Sequence, residues 1–160
     1  MTSVITYPHS TVKDSLEKGL AFQDFVCIVL AHRHIVLQNI CSKKFQIEVG
    51  ENLQGFEIKL DRRCGDTGRL SIEVAEKSSR DVLWWTPSGI MREDNSILYI
   101  QGNYECFWVF GKNWLRRWLE EKSPQVEEFN GTIRRFFLDN DVADVGSIWK
   151  WCKEEVTHGR

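Results

Sequence analysis

Acidic and basic side chains concentrate in one short stretch, Gly55 to Lys77, which reads GFEIKLDRRCGDTGRLSIEVAEK. It divides into GFEIKLD and RLSIEVAEK, each with the period-two alternation of a half-buried strand. On the first, Phe56, Ile58 and Leu60 fall on one side and Glu57, Lys59 and Asp61 on the other. On the second, Leu70, Ile72 and Val74 oppose Glu73, Ala75 and Lys77. Gly65 and Asp66-Thr67-Gly68 supply the backbone freedom of a reversal, so the spacing predicts a β-hairpin. A turn centred on Thr67 sets Asp61 opposite Glu73, Lys59 opposite Ala75 and Glu57 opposite Lys77, each pair about 4.5–5.5 Å apart at Cβ. Two carboxylates so placed can hold a hard divalent cation through oxygen ligands, and a lysine beside them can orient a water or steady an anion. A sheet solvated on one face alternates in the same way with no chemistry attached, and a slip of one residue would move the charges to the wrong face.

The elements that must position this stretch come from the rest of the chain. Its 160 residues are expected to form one domain, and a hydrophobic fraction of 42% is enough for a core and argues against wholesale disorder. Residues 13–33, KDSLEKGLAFQDFVCIVLAHR, carry a broad apolar face and predict a helix capped by Ser10 or Thr11 and packed on a sheet. Residues 1–12 read as an irregular arm, Ile35 to Ile40 as a short strand, and FQIEVGENLQG as a loop that brings Glu48 and Glu51 toward the charged strands. SSRDVLWWTPSGIMREDN is a loop by composition, with Trp84 and Trp85 expected in the core ahead of a role as a lid or a stacking platform. SILYIQG and YECFWVFG predict a second hairpin turning at Gly102-Asn103, and KNWLRRWLEEK an amphipathic helix ended by Pro124. After that, TIRRFFLDN reads as an edge strand and SIWKWCKEEV as a last helix capped by Ser147.

Composition and motifs exclude several classes. A formal net charge of −2 gives no global attraction to nucleic acid, so phosphate binding must rest on local pairs such as Lys43-Lys44, Arg62-Arg63, Arg116-Arg117 and Arg134-Arg135. The five cysteines, Cys27, Cys41, Cys64, Cys106 and Cys152, show no close pairing and read as reduced side chains in a cytoplasmic protein, neither a zinc site nor a disulfide frame. The four histidines, His9, His32, His34 and His158, are too dispersed for a histidine-built metal centre. No secretion signal, membrane-length apolar run, phosphate-cradling glycine loop, Gly-x-Ser-x-Gly elbow or dinucleotide fingerprint is present.

A helix followed by a sheet whose hairpin carries Asp61 on one strand and Glu73 on the next resembles the PD-(D/E)XK nuclease superfamily. The resemblance runs from about Glu17 to Leu119, and the EIKLD...TGRLSIEVAEK hairpin followed by PSGI and DNSILYIQGNYE looks like small phage or prophage nuclease-like proteins of that superfamily. It implies an α/β (α+β) fold with a restriction-endonuclease-like core at about 13–122, a mixed central sheet with hairpin 55–77 flanked by helices, and a C-terminal extension at about 123–160. It implies metal-dependent hydrolysis of phosphodiester bonds, with DNA as partner, room for a homodimer and no membrane. Asp61 and Glu73 would bind Mg2+ or Mn2+ with the Val74 carbonyl, and Arg62, Arg63 and Arg92 would position the substrate backbone. The chain departs from the family pattern at Ala75, where a lysine is expected; Lys59, across the hairpin, or Lys77 would replace it. A competing assignment takes Glu57-Ile58-Lys59 as the acid-x-lysine motif with Glu48 or Glu51 before it. Gln23 stands where family members carry a helix acid, with Glu17 as a substitute. The alternative reading is a catalytically silent nuclease-fold protein that binds nucleic acid or a protein partner, and a further one is an interaction protein whose tryptophans mediate self-association.

Overall fold

The computed structural model describes residues 9–153. In chain order the elements are α1 (His9–Ala31), α2 (Lys43–Glu48), β1 (Phe56–Leu60), α3 (Cys64–Thr67), β2 (Arg69–Glu76), β3 (Thr86–Pro87), β4 (Leu98–Gly102) and β5 (Cys106–Gly111). They continue with α4 (Lys112–Lys122), β6 (Glu127–Phe129), β7 (Ile133–Asp139), α5 (Asn140–Gly146) and β8 (Trp149–Cys152), and a short 3-10 turn spans Gly89–Met91. The chain is a mixed α/β protein with two four-stranded sheets, ordered β1-β4-β5-β8 and β3-β2-β7-β6. The first sheet is mixed, since β1 runs parallel to β4 while β5 is antiparallel to both β4 and β8. Every pairing of the second is antiparallel.

The two faces of the first sheet meet different partners, which explains its sequence. Phe56, Ile58, Ile100, Phe107 and Val109 point to Phe22, Val26 and Leu30 of α1 and form one apolar cluster. Tyr99, Trp108 and Phe110 point the other way and join Leu70, Ile72, Phe136 and Leu138 of the second sheet, with Leu115 of α4 and Ala143 of α5, in another. The sheet is therefore covered on both sides, so the strand positions that alternate as polar are enclosed rather than solvated.

The expected hairpin at 55–77 does not form: β1 pairs with β4, β2 pairs with β7, and the two strands belong to different sheets. The connection folds as the single turn α3, closed by Gly68 in the left-handed region at φ 66° and anchored by the buried Cys64, and it is too long to act as a tight reversal. The predicted pairs are accordingly replaced by Glu57 with Tyr99, Lys59 with Gln101, Glu73 with Arg135, and Ala75 with Arg134 and Pro87.

Other expectations change as well. The 35–40 strand reduces to a single bridge between Asn39 and Asn52, and the loop after it contains α2. TIRRFFLDN is an interior strand, because β6 covers the side of β7 that β2 leaves open. SIWKWC is β8 and not a helix, since its period-two pattern sets Trp149 and Trp151 against Phe107. Residues 123–152, expected as an extension, thus supply strands to both sheets. Cys106 and Cys152 lie opposite each other on β5 and β8 and form a disulfide, which overturns the expectation of five reduced cysteines; register, invisible in sequence spacing, brings them together. Trp84 is exposed and Trp85 half-buried between Lys77 and Arg134, so neither belongs to the core. The helix expected at 13–33 forms as α1 at His9–Ala31, so that Ser10 and Thr11 lie inside it rather than before it, while the β4-β5 hairpin and the helix at 112–122 form where they were expected. Of the irregular arm expected at 1–12, residues 9–12 belong instead to α1, and residues 1–8, like His158, lie outside the described residues. No helix among the described residues is long and apolar enough to cross a membrane.

Candidate active site

The C-terminal end of β1 and the middle of β2 meet although the strands do not pair. Lys59 and Asp61 from the first, Ser71 and Glu73 from the second, and Tyr99 and Gln101 from β4 line a cavity of about 320 Å³. Arg62, Arg63 and Arg135 lie on the same cavity. Asp61 joins the two sheets: its Oδ2 accepts the Ser71 N–H at 2.8 Å and its Oδ1 the Arg63 N–H at 3.1 Å. Gln101 Nε2 donates to the Ser71 carbonyl at 2.5 Å and reaches Asp61 Oδ2 at 3.4 Å. The strand end is thereby fixed against the neighbouring sheet by backbone groups, which is the rigidity a reacting carboxylate needs.

Glu73 owes its position to a break in its own strand. Pairing with β7 shifts between Glu73 and Ala75, so Val74 is bulged, and its carbonyl accepts the Ser88 N–H at 3.2 Å. The Val74 carbonyl, expected as a metal ligand, is therefore engaged with the Ser88–Gly89 turn. Gly89 permits this approach: it sits at φ 52°, and a Cβ there would fall 2.3 Å from the Glu73 carbonyl oxygen. Burial pushes the Glu73 carboxyl above the ordinary glutamate range, and nearby Glu76 and Glu57 add to this, while Lys59 and the Ser88 hydroxyl pull against it.

Lys59 is the positive centre of the acids around it. Its ammonium lies 3.2 Å from Glu57 Oε1 and 3.5 Å from Glu51 Oε1. Burial alone would lower its pKa, but Glu57, Glu51 and Glu73 override that and hold it well above the ordinary lysine range, so it is charged at neutral pH. Glu51 is fixed in turn by the Ile58 N–H at 3.1 Å and by Gln23 Nε2 at 3.3 Å. The helix position that lacks an acid is thus used, through an amide, to orient one. Burial and the same three glutamates raise the Tyr99 hydroxyl well above its usual value.

Behind Glu57 lies a second cation. Lys112, 1% exposed at its side chain, places Nζ 3.1 Å from Glu57 Oε2 and 3.4 Å from Asp94 Oδ1. It also donates to Ser96 Oγ at 2.5 Å and to the Arg92 carbonyl at 3.1 Å. Burial acts to raise the Asp94 carboxyl, but the hydroxyl and N–H of Ser96 and the Lys112 ammonium hold it below its usual value.

Of the site residues expected from sequence, Asp61, Glu73, Lys59, Arg62 and Arg63 share the cavity. Glu57 is 1% exposed and acts as a bridge between Lys59 and Lys112, so it is neither solvated nor paired with Lys77. Lys77 does not line the cavity; its Nζ lies 4.4 Å from the Trp85 ring, because the Val74 bulge ends the alternation that would have kept it beside Glu73. Arg92 is turned away, 3.5 Å from Asp94 Oδ2 and bonded to the Gln46 carbonyl at 2.9 Å. Sequence reasoning missed Lys112, Asp94, Tyr99 and Gln101. Tyr99 and Gln101 carry a signal, alternating with Leu98 and Ile100; so does Lys112, a cation in the first turn of a helix, where the macrodipole disfavours it.

Among the described residues no group of three or more His, Cys, Asp or Glu side chains is arranged to hold a metal ion. The described residues therefore offer no closed cation cage. They offer Asp61 and Glu73 on one cavity, together with the buried Gln101 Oε1, which has no hydrogen-bond partner. That donor set fits a magnesium-type ion that takes its remaining ligands from water and a substrate phosphate. No family model matches the chain, and neither does a curated protein or a solved structure.

Proposed function

We propose that the protein is a metal-dependent nuclease of restriction-endonuclease-like fold, hydrolysing phosphodiester bonds in DNA at the Asp61–Glu73 cavity. The observation that carries the reading is the meeting of Asp61, Glu73 and Lys59 on one cavity with Arg62, Arg63 and Arg135. Arginines suit a phosphodiester backbone because their guanidinium groups bind phosphate oxygens in a fixed fork. Asp61 and Glu73 would hold Mg2+ or Mn2+, which supplies a polarised phosphoryl group and a water of lowered pKa. Lys59 orients the attacking water and offsets the charge that builds on the phosphoryl oxygens, and Glu57 and Glu51 keep it protonated and in place for that work. Ala75, at the expected lysine position, takes no part, because it pairs with Arg134 and Pro87 in the second sheet.

Incubation of the purified chain with single-stranded, linear and circular DNA in Mg2+ or Mn2+ tests the reading. Cleavage is expected, and Asp61→Asn and Glu73→Gln should each lower it by about 10²–10³-fold or more. Undiminished cleavage in Asp61→Asn would overturn the assignment.

A second reading, a silent nuclease fold that binds nucleic acid, is favoured by two features: both Asp61 oxygens already accept backbone N–H groups, and Lys59 already has two acidic partners. Its mark is affinity that falls steeply with salt while no product forms.

A further inference from the structure

Some basic side chains among the described residues are answered by carboxylates. Lys59 has Glu57 and Glu51, Lys112 has Glu57 and Asp94, and Arg134 has Glu128. Arg69 and Arg135 are placed differently: among the described residues neither has an ion-pair partner, and both lie on aromatic rings. The Arg69 guanidinium lies 4.4 Å from the Phe137 ring centre, and Arg135 lies 5.0 Å from the same ring and 4.0 Å from that of Phe129. Glu127 stands opposite Arg135 in the β6-β7 register, yet the guanidinium turns onto the rings. Its Nε is buried without a hydrogen-bond partner while Nη1 donates to Ser71 Oγ at 3.2 Å.

Strand alternation gathers these groups. Arg69, Ser71 and Glu73 of β2, Phe137 and Arg135 of β7 and Phe129 of β6 project to one face of the second sheet, opposite the face that carries Leu70, Ile72, Phe136 and Leu138 into the core. The outer face thus carries Arg69, Phe137, Arg135 and Phe129 beside the candidate catalytic Glu73, with Asp139 opposite Arg69 and Glu127 opposite Arg135 in the register. Phe129 and Arg135 lie on the same cavity as Asp61 and Glu73. At Phe129 that cavity continues into a second of about 540 Å³, with which it shares Lys59, Leu60, Arg62 and Ile133. Together the two adjoining cavities offer more room than a single small molecule needs.

We propose that this outer face binds single-stranded nucleic acid, its bases stacking on Phe129 and its phosphates held by Arg69, Arg135 and Arg62, and leads the strand through the Asp61–Glu73 cavity. The inference rests on the nuclease reading and narrows its substrate to unpaired strands. Stacking on an aromatic ring requires a base whose face is free, which a duplex denies along its length, and aromatic–base stacking tolerates any sequence. Guanidinium groups without carboxylate partners are free to replace the counterions of a phosphate backbone.

The test is fluorescence anisotropy of a labelled oligo-dT strand and of a duplex of equal length, with the wild-type chain in EDTA so that nothing is cut. The strand should bind at least about tenfold tighter than the duplex. Phe129→Leu, which keeps an apolar side chain but lacks a ring face, should weaken strand binding by about five- to tenfold and leave duplex binding unchanged. Arg69→Ala, at the exposed end of that face, should weaken strand binding and reduce the slope of log affinity against log salt by about 0.7. Equal or tighter duplex binding, or strand binding unaffected by Phe129→Leu, would overturn the proposal. Cleavage of the same oligo-dT in Mg2+ is measured separately, so strand binding without product removes the nuclease reading and leaves the binding face standing.

Discussion

Lys59 and Glu73 set the electrostatics of the cavity, and both are raised above their usual pKa ranges, Glu73 by burial and Lys59 by acidic neighbours that override its burial. Glu73 is raised by burial and must lose its proton to serve as a ligand, so the acid limb of the pH–rate profile is expected above the ordinary carboxylate range. Lys59 is one of the groups that pull Glu73 back down. Lys59→Met should therefore move that limb to higher pH and lower the rate by about 10²–10³-fold, measured as cleavage against pH. An unmoved limb would detach Lys59 from Glu73. Linkage gives the stability counterpart. Both groups have folded-state values raised above the unfolded ones, so each contributes stability that is complete below its unfolded pKa and is lost as pH rises through its folded pKa. For Glu73 that window lies above the usual glutamate value, and for Lys59 it lies above the usual lysine value. Lys59→Met should flatten the alkaline window, read from denaturation midpoints across pH.

Two elements hold the site from behind, and each depends on one residue. The first turn of α4 brings Lys112 into the interior, where it neutralises Glu57 and Asp94, both nearly inaccessible. Removing one partner of such a cluster leaves uncompensated buried charge, at a cost of about 3–5 kcal/mol. Lys112→Met is expected to lower unfolding free energy by that amount in a urea titration, and a loss under about 1 kcal/mol would show that Glu57 finds relief elsewhere. The Ser88–Gly89 turn is the other support. At φ 52° and with the Glu73 carbonyl so close to where a Cβ would stand, Gly89→Ala must displace backbone at the bulge. A destabilisation of about 1–3 kcal/mol is expected, with a loss of cleavage larger than the stability change explains at working temperature. Wild-type activity in that variant would mean that the bulge does not position Glu73.

Across the whole molecule, what the sequence revealed follows the range of the interaction. The β4-β5 hairpin and α4 were legible because their signals are local, a glycine-containing reversal in one case and Trp114, Leu115, Trp118 and Leu119 at helical spacing in the other. Asp61, Glu73 and Lys59 stood out as polar positions in alternating strands, but their meeting is arranged by β4 and β7, which are distant in sequence from β1 and β2. Arg135 was visible only as half of a basic pair, because its face depends on the register with Phe129 and Glu73. The same non-local logic governs the last third of the chain. β7 contributes Phe136 and Leu138, both fully buried, and closes one edge of β2, while β8 sets Trp149 and Trp151 over Phe107. Losing one large core side chain costs about 2–5 kcal/mol, and a domain has only about 5–15 kcal/mol to lose. A chain ending at Lys122 should therefore have no cooperative urea transition and no near-UV circular dichroism, and its bared β2 edge should drive it to aggregate. A cooperative transition in that fragment would show instead that residues 9–122 fold without either sheet being complete, and that β7 and β8 only decorate the site.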